Sequence, residues 1–146
     1  MSSAKPETVA LVIRRAASAK SMWLDVAGTS MGSAIVTGDE VQVVIAERPH
    51  QGEVWAFCNA STSIVVHRCR GRRSEGWLFE GDAVGQADPV VPASWLIGRV
   101  VSIRHHGVER RVGRRDRLLG TFAIALRRTQ RALRRSLLRA CRRGGY

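Results

Sequence analysis

Between Met22 and Ile103 the apolar runs are short, and turn-forming residues cut them at close intervals. This rhythm restricts the fold more than any other feature. Strand-like runs are Met22–Val26, Glu40–Ala46, Glu53–Cys58, Ser63–Cys69, Trp77–Glu80 and Trp95–Ile103. The breaks are Gly28, Thr37-Gly38-Asp39, Arg48 to Gly52, Asn59 to Thr62, Gly71 to Gly76, and Pro89 with Pro92. No run there is long enough for an ordinary helix, and β-branched and aromatic residues dominate them. The pattern predicts a mainly β fold, a coiled β-sheet barrel. Glu7 to Lys20 differs, because Val9, Ala10, Val12, Ile13, Ala16 and Ala17 recur at helical spacing. A short N-terminal helix is expected there.

Charge divides the chain in two. The formal net charge of +12 arises from fourteen arginines against two acids after residue 103, whereas residues 1–103 carry equal numbers of each sign. The expected organisation is a neutral β domain over 1–103 and an Arg-rich helical tail over 104–146. No segment has the ~18–20 apolar residues needed to span a bilayer. Val9–Ile13 runs directly into Arg14-Arg15 and is not expected to be the apolar core of a secretory leader. Cys58, Cys69 and Cys141 are odd in number and lack metal-ligand spacing, so they read as reduced thiols in a cytoplasmic protein.

Three chemistry-bearing residue types arrive from separate segments of this β-rich chain. Ser30 follows Gly28 at a bend, His67 closes an apolar strand, and Asp82 and Asp88 occupy an acidic loop after Gly81. A serine hydroxyl is a poor nucleophile until a base takes its proton, and a carboxylate holds that base in one tautomer. An imidazole titrates near neutral pH and suits the role of base. His50, His105 and His106 lie outside this set and read as surface imidazoles. Arg68 reads as a strand residue that pairs with a nearby carboxylate.

The runs WLDVAGTSMGSAIVTGDEVQVV (Trp23 to Val44), GEVWAFCNASTSIVVHRCRG (Gly52 to Gly71) and GDAVGQADPVVPASWLIGRVVSI (Gly81 to Ile103) resemble, in order, three boxes of the signal peptidase I and LexA-type serine peptidases. Most members use a lysine base. His67 is similar to the histidine of the endoplasmic-reticulum and archaeal branch, and the Asp82 to Asp88 spacing matches that branch too. The resemblance covers about residues 7–103. It implies Ser30 as nucleophile, His67 as general base, Asp88 as the orienting acid with Asp82 as the second candidate, and no metal or organic cofactor. It also implies a peptide substrate lying along a strand edge past Val26, Gly28 and Met31. Ser33 stands where the family has a proline, Gly28 offers no hydroxyl to an oxyanion, and no segment of these 146 residues is expected to serve as the family's membrane anchor.

The expected function is a serine endopeptidase that cleaves a leader, signal or precursor peptide. Two alternatives stand beside it: a catalytically silent peptide- or membrane-binding adaptor of the same fold, and a self-cleaving LexA-like regulator. In the tail, Leu118, Phe122, Ala125, Leu126, Thr129, Leu133, Ser136, Leu137 and Ala140 share one side of an ideal helix. Arg127, Arg128, Arg131, Arg134, Arg135, Arg139 and Arg142 crowd the other, with Ile124 and Leu138 as exceptions. Over residues 114–143 such a helix suits an anionic membrane surface, or a partner protein or the protein's own β domain. Nucleic acid fits least, since no base-reading motif accompanies the arginines. The expected location is cytoplasmic, and at the inner membrane face if the tail's occupant is the membrane.

Overall fold

The computed structural model describes residues 4–19 and 21–143, with side chains described as far as Arg135 except that of Ala19. The first element is helix α1 (Pro6–Ala19). Pro6 sits at its first helical position, where a missing N–H costs nothing. Seven strands follow: β1 (Met22–Asp25), β2 (Glu40–Val44), β3 (Val54–Cys58), β4 (Ile64–Arg73), β5 (Gly76–Glu80), β6 (Leu96–His105) and β7 (Val108–Arg111). A 3-10 turn at Ala93–Trp95 introduces β6. Helix α2 (Arg114–Arg143) ends the described chain.

All pairings are antiparallel, in the order β1-β2-β6-β3-β4-β5, with β7 on the second half of β6. Among the described residues the end strands β1 and β5 do not pair with each other, so the sheet is not closed into a barrel. The expected mainly β fold is present, whereas the expected coiled barrel is not a closed one: short strands and turns specify local antiparallel pairs, and closure depends on whether distant edges meet. Register shifts at Gln42/Val43, Ala56/Phe57 and Cys69/Gly71 mark bulges that bend and twist the sheet.

Strand β3 explains where the core lies. Val54, Ala56 and Cys58 face one cluster with Met31, Ile35, Val41, Val43, Ile97, Val100 and Ile103, roofed by Ala10 of α1. Trp55 and Phe57 face a second cluster with Cys69, Phe79, Val91 and Leu96. A strand buried on both faces loses the apolar–polar alternation of a half-exposed one, as the run VWAFC shows. Each large apolar side chain buried here contributes roughly 1.5–3 kcal/mol.

Two boundaries shift from the sequence reading. The hairpin expected over Gly71 to Gly76 is tighter, because β4 extends to Arg73 and β5 begins at Gly76. Residues 104–111, read as tail, belong to the sheet: β6 runs to His105 and turns back as β7. Every residue of β7 is exposed, so no apolar pattern announces it; its register is set by backbone pairing from Ser102↔Arg111 to His105↔Val108.

Candidate active site

The bend after β1 is held from several directions. The Val26 N–H donates to the Asp39 carbonyl (2.8 Å), and the Gly38 N–H donates to that of Val26 (3.1 Å). Thr37 Oγ1 accepts from the Gly28 N–H and donates to the Gly28 carbonyl. Gly28 has φ +99°, a region side-chain-bearing residues avoid, so glycine is what permits the turn that presents Ser30. Met31 packs beneath it at 2% exposure. The Ser30 carbonyl accepts from the Ala83 N–H at 2.8 Å, tying this bend to the loop after β5.

His67 lies on β4 opposite Trp55, with its ring edge-on to Phe57. Its Nε2 is 2.9 Å from Ser30 Oγ, and its Nδ1 is 2.6 Å from Asp88 Oδ2. Asp88 is positioned by its own N–H, which donates to the Phe79 carbonyl at 2.8 Å, and by bridges of Glu80 with Ala87 and Trp77 with Val91. Serine, histidine and aspartate thus form one continuous hydrogen-bonded chain, with the histidine buried and the other two partly exposed.

Asp82 does not touch the imidazole. Both its oxygens accept from Arg68, at 2.8 and 2.6 Å. Arg68 Nη1 also donates to the carbonyls of Gly52 (2.8 Å) and Asp116 (3.1 Å). The pair is buried and bidentate, and it joins strand β4, the loop after β5 and the start of α2. Gly81, just before Asp82, fills a space too small for a side chain: a Cβ there would lie 2.6 Å from the Ser30 carbonyl and 3.1 Å from His67 Nε2. Its importance is readable from the sequence only as a glycine beside a candidate acid.

A cleft of about 880 Å³ opens in front of this chain. Its lining includes Leu24 to Gly28 with Ser30 and Met31, Ile64 to His67 of β4, and Asp88 to Val91 with Trp95. Val26, Gly28 and Met31, expected along the substrate path, all line it. Among the described residues, β1 pairs only with β2, and β4 before Arg68 pairs only with β3, so both strands carry a free edge. No group of three or more His, Cys, Asp or Glu among the described residues is arranged to hold a metal ion.

Helix α2 packs behind the site with its basic side inward. Arg117 reaches Glu53, Arg128 reaches Glu80 (2.9 Å), Arg127 donates to the Asp82 carbonyl, and Arg131 donates to the carbonyls of Gly85 (2.6 Å) and Val84 (3.1 Å). Ile124, one of the two exceptions in the helical pattern, is buried and anchors the helix among the described residues. Gly120 lies against the Arg68 guanidinium, where a Cβ would be 2.0 Å from Cζ. A glycine inside a helix costs about 1 kcal/mol relative to alanine; this close approach is its reason. The side chains expected to continue the pattern from Ser136 onward lie outside the described residues.

Burial raises the Glu53 carboxyl, but hydrogen bonds from Trp55, the His50 N–H and Arg99, with the Arg117 charge, outweigh it and hold the group below its usual range. Asp39 behaves likewise: the Val36 N–H and His105 outweigh its desolvation. Burial pushes the Cys69 thiol up to about 11 and also raises that of Cys58. His50, His105 and His106 are exposed, with His105 paired to Asp39. Comparison of the chain with protein-family models and with curated proteins finds no match in either.

Proposed function

We propose that this protein is a serine endopeptidase in which Ser30 is the nucleophile, His67 the general base and then acid, and Asp88 the group that orients His67. The observation that carries the reading is the unbroken Ser30–His67–Asp88 hydrogen-bond chain at the wall of an open cleft. Ser30 Oγ attacks the scissile carbonyl as its proton passes to His67 Nε2, and Asp88 stabilises the imidazolium. The tetrahedral oxyanion collapses, the C–N bond breaks, and His67 delivers the proton to the departing amine. Water then attacks the acyl-serine, losing a proton to His67, and releases the acid product with Ser30 restored. The Ser30 N–H is a candidate donor to the oxyanion.

The free edges of β1 and of the first half of β4 suit a substrate bound in extended form between them, through main-chain hydrogen bonds. That favours a flexible leader or precursor segment over a folded protein. The open antiparallel sheet is compatible with the signal peptidase and LexA catalytic fold. Unpaired Cys58 and Cys69 support a reducing, cytoplasmic setting.

The test has two arms. Intact-mass measurement after a fluorophosphonate probe should show one adduct on Ser30 in the wild type and none in His67→Ala. Peptide-library digestion followed by mass spectrometry should show cleavages lost in Ser30→Ala. If neither Ser30 adduct nor Ser30-dependent cleavage occurs, the protein is a silent peptide-binding module. A shortened chain in purified wild type, absent from Ser30→Ala, would instead indicate self-cleavage.

A further inference from the structure

Helix α2 spends its basic side on the protein body and leaves its apolar side uncovered. Leu118, Leu119, Phe122, Leu126 and Leu133 are 59–71% exposed. At about 100° per residue they fall within an arc of about 100°, opposite the docked Gly120, Ile124, Arg127 and Arg131. At about 1.5 Å rise per residue the stripe is roughly 22 Å long. We propose that this outward face seats the protein on an anionic lipid bilayer, with the helix lying in the interfacial plane.

Charge selects this occupant. Arg117 and Arg128 are paired with carboxylates, and Arg127 and Arg131 with carbonyls. Arg114 and Arg115 before the stripe, and Arg134 and Arg135 after it, are exposed and form no ion pair among the described residues. An apolar stripe bracketed by uncompensated arginines matches a surface that is apolar within and anionic at its rim. Long arginine side chains reach the headgroups while their stems lie against acyl chains. A second copy on this face would bring like charges together, with only Glu109 and Asp116 to offset fourteen arginines after residue 103. No described helix is long and apolar enough to cross the membrane, so this contact is interfacial.

Sedimentation of the full chain with vesicles of phosphatidylcholine, with and without phosphatidylglycerol, tests the proposal. Binding is expected only to the anionic vesicles. It should fall as salt rises from about 0.1 M to about 1 M, which shortens the Debye length from about 10 Å to about 3 Å. The double variant Phe122→Glu/Leu126→Glu should lose about 100-fold in partitioning, from two apolar anchors. Arg134→Ala and Arg135→Ala should each lose about five-fold. Because these positions are exposed, thermal unfolding should be unchanged, which separates lost binding from lost folding. Wild type left in the supernatant with anionic vesicles overturns the proposal, as does binding indifferent to Phe122→Glu/Leu126→Glu. A dimer by light scattering that this double variant dissociates, without vesicle binding, assigns the face to a second copy.

Discussion

Replacing Arg68 with methionine keeps most of the side-chain volume and removes the charge that Asp82 faces. Asp82 is then a carboxylate at 6% exposure with both former hydrogen bonds gone, and the Gly52 and Asp116 carbonyls lose their shared donor. Breaking a buried ion pair from one side costs about 3–5 kcal/mol, because the remaining charge is uncompensated. The side chains are 3% and 9% exposed, so solvent screening barely reduces that figure. Against a typical total of about 5–15 kcal/mol the loss is severe, and near 3 °C per kcal/mol for a chain of this size it lowers the melting temperature by roughly 10–15 °C. The double variant Arg68→Met/Asp82→Leu should regain most of the loss, since two apolar groups in place of a buried pair are often neutral. Urea unfolding of wild type, both single variants and the double variant measures the coupling. A cost below about 1 kcal/mol for Arg68→Met, or a double variant no better than Arg68→Met alone, would refute the reasoning.

Asp88→Asn should leave stability near wild type and lower Ser30-dependent turnover by up to about 10⁴-fold, since the amide no longer holds the productive tautomer; equal losses in Asp88→Asn and Asp82→Asn would contradict the separate roles described. Gly81→Ala should destabilise by about 1–3 kcal/mol through overpacking and lower probe labelling of Ser30, since the Ser30 carbonyl must yield to the new Cβ; unchanged labelling counts against the close approach. Asp39 and Glu53 are held below their ordinary values when folded, so their stabilisation is present above the ordinary carboxylate range and is lost as pH falls through the folded values. Unfolding free energy should therefore decline below about pH 5, with a shallower decline in Glu53→Gln; a flat profile between about pH 6 and 3 would exclude this. With Cys141 changed to serine, native protein should resist thiol alkylation at about pH 8, because the raised Cys58 and Cys69 thiols are buried and protonated; rapid labelling without unfolding would contradict their burial.

The candidate site was legible where local chemistry sufficed. Gly28 before Ser30 marks a bend because only a residue without Cβ takes that φ readily. His67 follows the apolar run Ile64 to Val66, which places an imidazole on a strand; that β4 continues to Arg73 and buries His67 to Cys69 is decided by pairing with its neighbours. The choice between Asp82 and Asp88 was not local. Both follow Gly81 within one loop, and Asp82 is removed from the imidazole because Arg68, adjacent to His67 but facing the other way along β4, holds both its oxygens.

The same division runs through the fold. Residue order alone determines α1, the positions of β1 to β6 within a few residues, the Arg-rich helix and its two unlike faces, since each depends on periodicity or a turn residue acting over one or two turns of chain. Tertiary structure decides that the sheet stays open at a cleft, that β7 joins β6 without any apolar signal, and that α2 turns its arginines inward. A helical wheel records that Leu118, Phe122 and Leu126 share a side, but not which side meets the body. Glu53, Glu80 and the loop carbonyls of Asp82 to Gly85 decide that: buried acceptors need donors, Arg117, Arg127, Arg128 and Arg131 supply them, and the leucines are left facing out.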